Sequence, residues 1–107
     1  MANFNEREKG FEDKFRHDQE LQFKVTVRRN KLLGLWAAEK LGLKGPEVDQ
    51  YAKSVVESDF HKPGDDDVLD KLTADFTAKG VACSRDQIRR EMGLLLQQAK
   101  KQLMEGQ

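Results

Sequence analysis

Apolar residues in this chain recur three and four positions apart, segment after segment, and no stretch alternates as a half-buried strand would. That spacing gives a helix one stripe to bury and leaves its other sides to water. The chain needs the economy. Of its 107 residues 36% are charged and 37% hydrophobic, so each element can hide one narrow face and little more. At this length one domain with a single core is expected.

Local punctuation marks the helices. Gly45-Pro46 opens one, because proline suits the first helical position. Val48, Tyr51, Ala52, Val55, Val56 and Phe60 form its stripe, and Pro63-Gly64 stops it. Asp65-Asp66-Asp67 begins the next, with acids placed to accept first-turn amides and to favour the helix dipole. There Val68 or Leu69, Leu72 and Phe76 face inward, and Gly80 is the natural stop. The last helix has the sharpest start: Ser84 and Gln87 make a capping box and Cys83 staples onto Ile88. Ile88, Met92, Leu95, Leu96, Ala99 and Leu103 share its inner face. Ahead of these, residues 21–43 hold Leu32, Leu33, Leu35, Trp36, Ala37, Ala38 and Leu41, apolar nearly all round the axis, which predicts a central helix ended by Gly42. Short connections make neighbours antiparallel, so the fold class expected for residues 21–107 is an all-α antiparallel four-helix bundle.

Residues 1–20 do not fit that bundle. Phe4, Phe11 and Phe15 are their only large apolar side chains after Met1, and on a helix they fall within about 40° of one another. Around them lie Glu6, Arg7, Glu8, Lys9, Glu12, Asp13, Lys14, Arg16 and Asp18, so the segment is a narrow aromatic stripe on an ionic rod. Short isolated helices are marginal in water, and Gly10 costs about 1 kcal/mol against alanine. The rings return roughly 1.5–3 kcal/mol each only when something covers them. A mobile arm that becomes helical on binding, its phenylalanines anchored in a groove, is the expectation. The alternative is that the stripe packs back on the bundle and extends its first helix.

Charge and cysteine content exclude several classes. The 19 basic and 19 acidic residues cancel, so the chain lacks the broad field that draws proteins to nucleic acid or anionic membrane. Six bases and one acid fall in residues 21–44, and nine acids and four bases in 45–79, a pattern that complementary helices of one bundle explain. Cys83 is the only cysteine, which rules out an internal disulfide and suits a reducing compartment. No apolar run approaches a signal core or a membrane span, so a cytoplasmic protein without direct membrane insertion is expected. Asp65 to Asp67 with Asp70 lack the ligand alternation of a calcium loop, and His17 and His61 have no second ligand at metal spacing. Imidazoles as a class change charge near neutrality, so the readings for His17 are a pH sensor inside the arm or an ordinary surface residue, and the second fits it best. No nucleophile–base arrangement or glycine-rich phosphate loop is present, so neither catalytic residues nor a cofactor is expected.

The run RNKLLGLWAAEKLGL (Arg29 to Leu43), preceded by FNEREKGFEDKFRHD (Phe4 to Asp18) and followed by VVESDFHKPGDDDV (Val55 to Val68), resembles the zeta subunit of alphaproteobacterial ATP synthases over nearly the whole chain. That resemblance implies a four-helix bundle with an N-terminal inhibitory arm, not an enzyme. The arm would wedge as a helix between the catalytic alpha and beta subunits, near the central stalk, and block ATP hydrolysis. Carried onto this sequence, the partner-binding segment comprises Asn3, Phe4, Arg7, Glu8, Phe11, Glu12, Lys14, Phe15 and His17. It would divide the chain into an arm, 1–20, and a bundle, 21–107, held peripherally at the inner membrane through its partner. Gly10, and the β-branched Val25-Thr26-Val27, depart from a helix-favouring pattern. The second reading is a small helical nucleotide- or nucleic-acid-binding module built on Arg28-Arg29-Asn30-Lys31, where a weak nucleotide contact is the more modest form.

Overall fold

Helix ends are set first by short-range chemistry. In a computed structural model of the chain, which describes residues 2–59 and 65–105 and, over 2–18, the backbone alone, the order is α1 (Ala2–Lys40), α2 (Pro46–Ser58), α3 (Asp66–Lys79) and α4 (Arg85–Met104). Gly80 stands at φ 69°, where an L side chain would be strained. The turn lets the Val81 N–H donate to the Phe76 carbonyl at 2.9 Å, a six-to-one closure that satisfies a helix-end carbonyl. Gly42, at φ 77°, does the same for α1, with the Leu43 N–H on the Ala38 carbonyl at 3.0 Å. At the start of α4 the Gln87 N–H donates to Ser84 Oγ at 3.2 Å and the Ser84 N–H donates to Gln87 Oε1 at 2.8 Å. The capping box is therefore complete on both sides.

The start of α3 departs from expectation. Asp65 occupies the cap position, and its carbonyl accepts the Leu69 N–H at 3.0 Å, but its side chain accepts no amide from α3. Its Oδ1 takes the Arg29 guanidinium instead, at 2.8 Å. A full charge on a buried cation outbids an exposed backbone amide for the same oxygen. The helix α2 ends at Ser58, with Asp59 as its cap. Phe60 and His61 lie outside the described residues.

Packing follows the stripes. Phe76, Leu33, Leu72, Ile88, Val55 and Val68 are the large apolar side chains with no more than 1% of their surface exposed. Both Val68 and Leu69 of α3 are buried, whereas Leu96 and Leu103 of α4 stay half-exposed. Trp36 meets Phe76 edge to face, with ring centroids 6.0 Å apart, a geometry worth about 0.5–1.5 kcal/mol beyond burial. Cys83 packs, half-buried, against the cluster that contains Ile88. The second half of α1 is central: Leu33, Gly34, Ala37 and Ala38 are buried, and both α2 and α4 run against it.

The crossing of α1 and α2 depends on Gly34. A Cβ built there would stand 2.5 Å from the Ala52 Cα, so the two backbones approach as closely as a pair of small residues allows. Gly34→Ala should therefore destabilise the bundle by about 1–3 kcal/mol through overpacking, although alanine is the better helix former by about 1 kcal/mol. Thermal melts of the two proteins decide the sign. An unchanged or raised midpoint would mean that the helices separate without cost.

The first helix sets the shape. Thirty-nine residues at 1.5 Å each span about 58 Å, most of the 65 Å long axis. The radius of gyration is 17.5 Å, against about 13 Å for a compact domain of this length. Gln19 to Lys24 are all exposed, and Val25, at 7%, is the first buried residue described along α1. The backbone helix passes unbroken through Gly10 and through Val25-Thr26-Val27. At the second site burial of Val25 offsets a weak local propensity. No described helix is long and apolar enough to cross a membrane.

Candidate partner-binding arm

Asn3, Phe4, Arg7, Glu8, Phe11, Glu12, Lys14, Phe15 and His17 all sit on the first half of α1. Their side chains lie outside the described residues; their backbone positions do not. Eighteen residues make five full turns of an α-helix, so positions 4, 11 and 15 share their helical phase with Gln22, Arg29 and Leu33. Arg29 is 4% exposed and Leu33 fully buried. The helix thus places the three phenylalanine positions along the extension of the side of α1 that packs on the bundle.

Below the arm, α1 and the end of α4 form a groove of about 380 Å³ lined mainly by Leu21, Val25, Thr26, Leu96, Lys100 and Met104. The large hydrophobic side chains exposed among the described residues are Leu21, Phe23, Leu94 and Met104, and two of the four line this one groove. Arg28 Nη1 donates to Gln102 Oε1 at 3.1 Å and ties α4 to α1 just beyond it.

The basic cluster is largely consumed by the fold. Arg29 donates from Nε and Nη2 to Asn30 Oδ1 at 3.1 and 2.9 Å, and from Nη2 to Asp65. Asn30 donates in turn to Asp59 Oδ2 at 3.1 Å. Asp59 closes α2 and Asp65 precedes α3, so these bonds tie the end of α2 and the start of α3 to α1. Arg28 and Lys31 remain beside an open cleft of about 460 Å³ that Glu105 also lines. Periodicity concealed all this, since Arg29 and Asn30 are the polar residues buried among those described. The nearest signal was their position on the inward side of a helix whose other inward residues are apolar.

The remaining polar clusters also read as structural. Tyr51 donates to Asp75 Oδ2 at 2.7 Å, and Lys71 donates to the same oxygen at 3.1 Å. Burial first, then the bond to Asp75, pushes the Tyr51 phenol up from its ordinary range. Arg85 pairs with Asp70 at 2.7 Å. Among the described residues no three His, Cys, Asp or Glu side chains gather as a metal site would require.

A long helix on a small all-α bundle describes many proteins, but the sequence carries more. The family model of ATPase inhibitor subunit zeta matches residues 1–102. The chain belongs to that family. A zeta-family chain of this length also has a relative among solved structures, determined by solution NMR. It is 41% identical, with a TM-score of 0.72 over 81% of this chain and 99% of its own. No curated protein matches. The family match reaches all four helices, and the four-helix fold agrees with the zeta assignment.

Proposed function

We propose that this protein regulates an ATP synthase by inhibiting ATP hydrolysis in the catalytic sector, and that residues 1–20 are the inhibitory arm. The observation that carries the reading is the zeta-family match from residue 1 onward. The phase of positions 4, 11 and 15 on a helix that outreaches the bundle supports it. Rotary catalysis requires each catalytic interface to open and close in turn. A helix wedged between alpha and beta subunits, beside the central stalk, holds one interface shut. Phe4, Phe11 and Phe15 fill apolar pockets there, while Arg7, Lys14 and Arg16 meet acidic groups lining the cleft. The protein itself supplies no reacting group. It acts by occupying space.

The nucleotide-binding alternative is left with two cations, Arg28 and Lys31, one of them held by Gln102. Titration of the full chain into purified catalytic sector separates the readings. Saturable loss of ATP hydrolysis is expected. Undiminished hydrolysis, together with nucleotide binding that falls steeply with salt, would reverse the order of the two.

A further inference from the structure

We infer that the outward face of α4 is a self-association surface, on which a second copy of this chain packs antiparallel with its Leu94 seated over Gly93, however the arm acts. Asp86, Arg90, Gly93, Leu94, Gln97 and Lys101 are all exposed and lie on the side of α4 opposite its buried row, Ile88, Met92, Leu95 and Ala99. Leu94 is 58% exposed. Gly93 sits inside the helix, where glycine is weaker than alanine, yet a Cβ built there would meet nothing within 4 Å. No contact among the described residues calls for it, whereas Gly34 is required by Ala52. Gly93 borders a cleft of about 370 Å³ whose apolar walls are Leu69, Met92 and Leu96. An exposed leucine thus stands next to a notch with room for one.

Charge says what covers this face. Two antiparallel copies related by a two-fold axis between positions 93 and 94 bring Leu94 of each over Gly93 of the other. The same axis sets Asp86 opposite Lys101 and Arg90 opposite Gln97, each pair twice. Seven residues are nearly two turns, so the unlike charges fall in line with the leucines, about 10 Å to either side. A slip of one turn in one direction sets Arg90 against Lys101 and Asp86 against Glu105, like against like. The opposite slip leaves Asp86 facing the neutral Gln97. The face is its own complement in the central register, as a contact between identical surfaces requires. Size sets the strength. The 20 residues of α4 offer a strip about 30 Å long and about 10 Å wide, well below the roughly 800 Å² per partner of a standard stable complex. The pair is therefore weak and reversible, and salt loosens it. Gln102 lies by Arg28, and Gln87 by Trp36 and Lys40, so α1 and α4 are antiparallel. The two copies then extend their first helices from opposite ends of the pair.

Sedimentation equilibrium of the full chain is the test. The average mass is expected to rise with concentration from one chain towards two. Leu94→Glu should weaken self-association about tenfold or more. Asp86→Lys and Lys101→Glu should each weaken it about fivefold, and the two together should return it to within about twofold of the unaltered chain. Far-UV melts at low concentration check that each variant folds. Should one unfold, amide chemical shifts of the unaltered chain give the same decision: those that move with concentration are expected between positions 86 and 101. A mass that stays at one chain throughout overturns the inference. So does association that survives Leu94→Glu, a double variant no better than its single members, or concentration-dependent shifts centred on another helix.

Discussion

Deleting residues 1–18 is expected to abolish inhibition of ATP hydrolysis at any accessible concentration, while the remaining chain keeps its melting transition. The fold is expected to tolerate the loss because Gln19 to Lys24, which join this segment to the bundle, are exposed. Inhibition cannot, because in the proposed function the wedge is the arm. Within it the effect should concentrate in the rings. Phe11→Ala and Phe15→Ala each remove an anchor of the kind that costs about 2 kcal/mol or more, roughly thirtyfold in affinity. Arg7→Ala or Lys14→Ala removes a charge of the sort that at an interface rim changes association rate and salt dependence. The measurement is the concentration for half-inhibition across this series. Equal losses for rings and charges would refute the anchor model, and inhibition by the truncated chain would refute the arm.

The largest stability effect is expected at Phe76. Its side chain is 1% exposed, belongs to α3, and meets Trp36 of α1 edge to face. Removing it takes away both the burial and the contact that joins those two helices. Phe76→Ala should cost about 3–5 kcal/mol, a large part of the roughly 5–15 kcal/mol that holds a domain together. In urea the midpoint should fall with an unchanged slope, since the surface exposed on unfolding is nearly the same. Leu94→Ala, at a side chain 58% exposed, should change stability by about 0.5 kcal/mol or less. A loss below about 1 kcal/mol at Phe76 would show that α3 does not depend on that ring.

The two experiments bear on the two ends of α1, the first directly and the second through Trp36, which Phe76 of α3 meets. In the C-terminal half of α1, Leu33, Ala37 and Ala38 are fully buried, and their job is to hold α2 and α4. In the N-terminal half the same helical phase is occupied by Phe4, Phe11 and Phe15. One face thus builds the bundle at one end and, in the proposed function, meets a partner at the other. The polar interval at Asp18 and Gln22 separates the two.

Much of this was legible from residues alone. Ser84 with Gln87, Pro46 after Gly45, and the glycines at 42 and 80 fixed helix ends, because caps and turns are settled among residues a few places apart. The stripes of α2, α3 and α4 were readable for the same reason, and the zeta resemblance was carried by runs such as Arg29 to Leu43. Only the tertiary structure decided that Asp65 abandons its cap for Arg29, that Asn30 reaches Asp59, and that Gly34 is where α1 touches Ala52. Those pairings join residues 18 to 36 positions apart. No local rule ranks a distant buried cation above a neighbouring amide, or says which glycine two helices will choose to cross, until the chain has brought them together.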